Sequence, residues 1–165
     1  MAGKFLADRA TAPSKAVILE GIRSADNARQ RMEGAKRALK ENKNVQLVAS
    51  ETANWKIDEA YAVSKALLRK HPDIRLLFAA NDMMAMGAVK YLQETGNTTV
   101  QVVGYDALAE AIVEIRSGRM LATVDQQAAE QGYQGVALAL QLIQGKSVSA
   151  TTLVETRLVT ASNLP

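Results

Sequence analysis

The sequence has no cysteine and no long apolar run. Disulfide bonds, thiolate metal sites and a cysteine nucleophile are therefore excluded. Every apolar run is well short of the roughly 20 residues that a membrane-spanning helix requires. The first residues also lack the apolar core of a signal peptide, so we expect no export signal in this stretch of sequence.

Motifs of catalysis and cofactor binding are missing too. The single histidine, His71, lies in a turn that ends a predicted helix, and we interpret it as a surface residue. There is no Gly-x-Ser-x-Gly turn for a serine nucleophile and no glycine-rich motif for a nucleotide phosphate. No close group of His, Asp and Glu has the spacing of metal ligands. The sequence therefore predicts no enzyme, no cofactor and no metal.

Charge of one sign is also scarce, because the formal net charge is only +3. The densest basic cluster consists of Lys36, Arg37, Lys40 and Lys43. No aromatic residues are interleaved with it, which favours the solvated face of a helix over a nucleic-acid surface. We therefore expect no nucleic-acid partner for this chain.

Short apolar runs alternate with helical patterns along the 165 residues, a length that fits a single domain over 1–165. The runs at 16–19, 45–49, 76–80, 100–104 and 121–124 predict strands, and 152–159 predicts a last extended stretch. Helical spacing predicts helices over 3–10, from 28 onward, and over 57–67, 82–94, 108–117 and 128–144. This alternation predicts an α/β fold, a three-layer αβα sandwich around a mainly parallel sheet.

Two predicted strands end abruptly at polar residues. Asn81 follows the run 76–80, and Asp106 comes two residues after the run 100–104. In an open parallel sheet, both would lie in the crevice at the carboxyl ends of the strands, where such folds bind ligands. Two hydrogen-bonding groups without a catalytic partner favour a binding site, although each residue could instead cap a helix.

Three further residues are expected near the same edge. Trp55 lies in the loop after the second strand, where it either covers a gap in the core or offers a flat wall to a ligand. Gln126 follows the fifth strand, and alone it would be a cap or turn residue. Arg31 lies in the helix after the first strand. Arg29, in the same helix, is interpreted instead as part of a solvated helix start. Together they predict a polar ring around Trp55, a combination that suits the apolar face and hydroxyl rim of a sugar.

The predicted helix over 128–145 is apolar nearly all round. A helix that covers one face of a sheet needs only one apolar stripe. This segment is therefore expected to have neighbours on more than one side.

With these residues gathered, the chain resembles the periplasmic sugar-binding proteins of the ribose-binding type, which share their architecture with the lactose-repressor effector domains. The resemblance rests on the segments 16–21, 28–34, 78–88, 102–106 and 121–126. The resemblance implies a flavodoxin-like or Rossmann-like lobe that binds a ribose-like monosaccharide without catalysis. It implies that Arg31, Asn81, Asp106 and Gln126 contact sugar hydroxyls and that Trp55 stacks on the sugar ring.

The resemblance matches only the second lobe of that two-lobed family. It implies that the helix over 128–145 packs on the other lobe; in this chain we expect it either to fold back onto the sheet or to be exchanged in a homodimer. The implied partners are a sugar and, for the full-length parent, the membrane permease of an ABC importer in the periplasm. Three alternatives remain open: the effector domain of a sugar-responsive repressor, an enzyme on a similar scaffold, and a lobe with no activity of its own.

Overall fold

The computed structural model of the chain describes residues 1–164. Strands and helices alternate along the chain, as the sequence pattern predicts. The elements are α1 (Ala2–Ala7), β1 (Ser14–Glu20), α2 (Asp26–Glu41), β2 (Val45–Thr52), α3 (Ile57–Lys70), β3 (Ile74–Ala79), α4 (Asp82–Glu94), β4 (Gln101–Val103), α5 (Ala109–Arg116), β5 (Ala122–Asp125), α6 (Ala128–Ile143) and β6 (Arg157–Thr160).

The strands form one sheet in the order β2-β1-β3-β4-β5-β6. The first five strands pair in parallel, and β6 pairs antiparallel with β5. Helices α1 and α2 pack together on one face of the sheet, whereas α3 and α4 pack together on the other. This arrangement confirms the predicted α/β sandwich with a mainly parallel sheet.

The core lies on both faces of the central strands β1 and β3. Side chains from Val17 to Leu19 and from Leu76 to Leu77 are almost completely buried. Such continuous apolar runs are typical of parallel strands that are covered by helices on both sides. Helices α3 and α4 approach closely because Gly87, in α4, has no side chain. A Cβ atom there would lie 2.3 Å from the carbonyl oxygen of Ile57 in α3.

Most predicted elements are confirmed, with small shifts at their ends. The first helix ends at Ala7 rather than at residue 10, and the last strand is confined to Arg157–Thr160. These two shifts concern ends of elements, where the hydrogen-bond ladder is incomplete and local preferences are weak.

The residues of the basic cluster, Lys36, Arg37, Lys40 and Lys43, are exposed, as expected. His71 lies in the turn at the end of α3, where it is half-buried.

Helix α6 differs from every other helix of the chain. None of its residues, all of which lie in the described part of the chain, is buried. Tyr133, Val136, Leu140 and Ile143 are exposed, so the prediction that this helix folds back onto the sheet is wrong. Among residues 1–164, no helix, α6 included, is long and apolar enough to cross a membrane.

Candidate ligand-binding site

The carboxyl ends of the parallel strands carry the candidate site. Arg31 is supplied by α2, Trp55 by the loop after β2, and Asn81, Asp106 and Gln126 by the segments after β3, β4 and β5. Arg31, Asp106 and Gln126 are in direct contact. The predicted edge therefore brings the charged and amide side chains together from distant parts of the sequence.

Arg31 is the centre of this cluster. Its Nη1 atom donates to the carbonyl oxygen of Ala80 at 2.9 Å and lies 3.3 Å from Oδ1 of Asp106. Its Nη2 atom donates to Oε1 of Gln126 at 3.3 Å. Only 14% of the Arg31 side chain is exposed. The guanidinium is therefore fixed by three partners, in contrast to Arg29, whose exposed guanidinium pairs with the exposed Asp26 of its own helix.

Two aromatic rings flank the Arg31 guanidinium. Its central carbon lies 3.8 Å from the centre of the Tyr105 ring and 5.6 Å from the centre of the Trp55 ring. Both distances are within the range of cation–π attraction. Tyr105 was not among the predicted site residues, although its position immediately before Asp106 at a strand end was a visible signal.

Asp106 faces the cluster and does not cap a helix. Helix α5 begins at Ala109 and its N-cap is Leu108, so the capping interpretation of Asp106 is wrong. Nε2 of Gln126 donates to Oδ1 of Asp106 at 2.9 Å. Burial raises the pKa of Asp106 above its ordinary value, and the charge and hydrogen bond of Arg31 oppose that rise.

Asn81 does cap a helix. Its Oδ1 atom accepts a hydrogen bond of 2.9 Å from the backbone N–H of Met84 in the first turn of α4. The residue is buried, with 8% of its surface exposed. Capping uses the amide oxygen only, so the side-chain NH2 group has both of its protons for other acceptors. The structure thus confirms the capping role, and the contact with a ligand stays a prediction.

Trp55 packs its ring against Gly21, the residue that follows β1. A Cβ atom on Gly21 would lie 2.1 Å from the Trp55 ring, so only glycine allows this contact. Asn54 and Trp55 have positive φ angles of 49° and 66°, and such backbone persists only where the surroundings hold it. Trp55 is half-buried against the core, so it covers the strand end and still presents part of its ring.

Two buried acids, which the sequence pattern did not indicate, lie beneath this edge. Burial raises the pKa of Glu20, but hydrogen bonds from Ser50 and Arg23 outweigh that effect and leave the pKa below its ordinary value. Asp82 is completely buried, and burial raises its pKa to about 6 against the opposing hydrogen bonds. The sequence signal for Asp82 was its place beside Asn81, which the capping pattern of a helix start obscured.

The site offers hydrogen-bond donors and acceptors to a ligand. Within residues 1–164, no group of three or more His, Asp and Glu side chains is placed to hold a metal ion. Arg31 donates, Asp106 accepts, and Gln126 can do both. Such a cluster suits a neutral ligand that is rich in hydroxyl groups.

Comparison with known proteins agrees with this geometry. Residues 1–147 match the periplasmic binding protein domain family. The chain is 38% identical over 148 residues to the D-ribose/D-allose-binding protein of Pseudomonas aeruginosa, covering 89% of this chain and 46% of that protein. It is 34% identical over 159 residues to the ribose import binding protein RbsB of Escherichia coli K12, covering 96% of this chain and 53% of that protein.

Solved structures show the same likeness. The crystal structure of an ABC transporter periplasmic solute binding protein from Actinobacillus succinogenes 130z, with bound D-allose, superimposes with a TM-score of 0.95 at 34% identity. The match covers 98% of this chain and 58% of that one. The names of these relatives describe binding proteins, in agreement with the expected binding site without catalysis. The chain therefore belongs to the periplasmic binding protein domain family and is related to its ribose-binding members, of which it spans about half the length.

Proposed function

We propose that this chain is a sugar-binding lobe of a solute-binding protein that serves an ABC-type importer. The observation that carries the proposal is the contact of Arg31, Asp106 and Gln126 beside the Trp55 ring. A monosaccharide presents hydroxyl groups around its rim and C–H groups on its faces. The charged and amide groups would exchange hydrogen bonds with the rim, and the Trp55 ring would meet a face.

The ligand class is an aldose such as D-ribose or D-allose. The names of two sequence relatives and the D-allose bound to a solved relative support this choice. Asn81 is included in the proposed site because it lies beside Ala80, whose carbonyl oxygen accepts from Arg31. Its free amide protons would donate to a sugar oxygen while its oxygen remains on the helix.

The chain is proposed to supply one wall of the binding cleft. It spans about half the length of the curated relatives that it matches, so a second lobe would provide the opposing wall. One wall leaves a bound sugar open to water, which weakens each hydrogen bond that the cluster makes. We therefore expect this chain alone to bind aldoses weakly.

Titration calorimetry of the 165-residue chain with D-ribose and D-allose tests this function. The expected result is saturable binding with a dissociation constant above about 1 μM, which rises about a hundredfold in an Arg31→Ala variant. The Arg29→Ala variant is the matched control, because Arg29 lies on the same helix and pairs with exposed Asp26, outside the proposed site. No saturable heat with either aldose at millimolar concentration would overturn the proposal, and sub-micromolar binding would overturn the single-wall part of it.

The apolar surface of α6 is proposed to pack on the second lobe of the parent protein. Its exposed Val136, Leu140 and Ile143 support this assignment, since neighbouring exposed apolar side chains mark a surface that packs on a partner. Without that lobe, two copies of the chain could exchange this helix and form a homodimer. Analytical ultracentrifugation over a range of concentrations tests the exchange, and a monomer at every concentration would refute it.

The remaining partners concern the full-length parent, which we place in the periplasm beside a membrane permease. The name of a relative, a ribose import binding protein, supports this role over the effector domain of a repressor. Fractionation of cells that produce the natural full-length protein tests the choice. Recovery from the periplasm is expected, whereas cytoplasmic recovery with sequence-specific DNA binding would favour the repressor alternative.

A further inference from the structure

Asp82 is an acid in the first turn of α4 that is buried completely. Acids in the first turn of a helix are ordinarily exposed, where they interact favourably with the helix dipole. Asp26 of α2 and Asp58 of α3 follow that rule and are exposed. Burial of a carboxylate is costly unless hydrogen bonds compensate it, so the partners of Asp82 indicate what its burial achieves.

The partners of Asp82 all lie on the segments that carry Asp106 and Gln126. Its Oδ2 atom accepts from the backbone N–H of Leu108 at 2.9 Å, and its Oδ1 atom accepts from Oγ1 of Thr123 at 2.7 Å. Its own backbone N–H donates to the carbonyl oxygen of Tyr105 at 2.8 Å. The Asp82 carboxylate and backbone therefore bind the residues on either side of Asp106.

The segment held in this way has an unusual backbone. Asp106 and Ala107 have positive φ angles of 113° and 54°, a region that residues with a side chain rarely adopt. The backbone N–H of Ala107 donates to Oγ1 of Thr123 at 3.2 Å, and that same hydroxyl donates to Asp82. Such conformations persist only where the surroundings impose them. Here the carboxylate of Asp82 supplies two constraints, the hydrogen bond from the Leu108 backbone and the one from the Thr123 hydroxyl that binds Ala107.

Gly104 makes room for this carboxylate. A Cβ atom on Gly104 would lie 2.0 Å from Oδ1 of Asp82, so the acid occupies the space of the missing side chain. The fit leaves the carboxylate little freedom to move. A displacement of Asp82 would therefore be transmitted to the turn that follows β4.

We propose that Asp82 is a positioning residue of the sugar site, which holds the left-handed turn at Asp106 and Ala107 so that the Asp106 carboxylate points at Arg31, Gln126 and the sugar. Asp82 contacts no ligand in this scheme and acts through Asp106. The inference rests on the proposed sugar-binding function, because its effect is on the affinity of that site. Its structural part, the control of the turn, is measurable without any sugar.

The Asp82→Asn substitution tests the proposal with little change in shape. The asparagine keeps one oxygen for Leu108, but its NH2 group cannot accept the proton of the Thr123 hydroxyl. We expect the dissociation constant for D-ribose or D-allose to rise about tenfold in the 165-residue chain, the effect that outer positioning partners have at metal sites. Asp58→Asn, at the exposed start of α3, is the matched control and should leave the affinity unchanged.

A double-mutant cycle with Asp106→Asn separates positioning from a general loss of stability. If Asp82 acts through Asp106, Asp82→Asn should change the affinity less than about twofold when Asp106 is already replaced. Full additivity of the two losses would overturn the proposal, as would an affinity of Asp82→Asn equal to that of Asp58→Asn.

Two further measurements keep the proposal testable if Asp82→Asn fails to fold or if no sugar binds. Thr123→Val removes the hydroxyl that links Ala107 to Asp82, whereas Thr123→Ser keeps that hydroxyl. The affinity for the aldose should fall more in Thr123→Val than in Thr123→Ser, and equal affinities would count against the proposal. In nuclear magnetic resonance spectra without sugar, Thr123→Val and Asp82→Asn should shift the backbone amide signals of Ala107 and Leu108. Unshifted signals would overturn the positioning role, whereas absence of sugar binding by the unmodified chain would overturn only the proposed function.

Discussion

Helices α4 and α6 are both rich in apolar residues, yet they have opposite environments. Helix α4 packs against α3 and against strands β3 and β4, and it buries Met84, Ala85, Ala88 and Leu92. Helix α6 buries none of its residues. The comparison teaches that apolar composition indicates a need for a covering surface, whereas the location of that surface depends on the rest of the fold.

The largest expected difference between the two helices is in stability. Met84→Ala removes a side chain that is completely buried, so the free energy of unfolding should fall by about 2–5 kcal/mol. Leu140→Ala, on α6, removes a side chain that is 53% exposed and should cost less than about 0.5 kcal/mol. Urea denaturation of both variants measures this, and equal losses would show that α6 is covered in solution.

A second difference concerns ligand affinity. Arg31→Ala should lower aldose affinity by about a hundredfold, or about 3 kcal/mol, because it removes a fixed donor and leaves Asp106 without its cation. Val136→Ala, on α6, shortens a side chain that is 64% exposed and should leave affinity unchanged. Calorimetry on both variants makes the comparison, and a comparable loss of affinity in Val136→Ala would place α6 in the binding site.

A third difference is in pH dependence, which we expect from α4 through Asp82. The pKa of Asp82 in the folded chain is about 6, above its ordinary value of 3.8. The folded state therefore binds the proton more tightly, and the contribution of Asp82 to stability should rise by about 1 kcal/mol as the pH falls from 7 to 5. Denaturation of the unmodified chain and of Asp82→Asn at both pH values isolates this effect from other groups, and identical pH dependence in the two proteins would contradict it.

The smallest expected difference concerns the glycines that end the two helices. Gly96 after α4 and Gly145 after α6 both have positive φ angles, of 63° and 75°. Gly96→Ala should cost about 1 kcal/mol, because a residue with a side chain is strained in that conformation. Gly145→Ala should lower the free energy of unfolding less, since α6 is not packed on the core. Thermal unfolding of the two variants checks this, and equal shifts of Tm would contradict the separation of the helices.

Much of the fold could be predicted because apolar runs and helical spacing are local signals. The strands β1 and β3 are recognisable from continuous apolar residues, and the start of α4 from Asn81. The position of α6 could not be predicted, because its pattern demands a neighbour without identifying one. The burial of Asp82 was equally hidden, since an acid in the first turn of a helix is ordinarily exposed.

The sequence by itself determined the alternation of strands and helices, and with it the edge at which the candidate site residues end. Parallel strands bring their carboxyl ends together, so Asn81, Asp106 and Gln126 share that edge wherever the sheet forms. Only the tertiary structure decided that Arg31 reaches Asp106 and Gln126, and that Asp82 lies beneath the turn at Asp106. The physical reason is that these contacts join residues far apart in sequence, whose distances depend on packing and not on local preference.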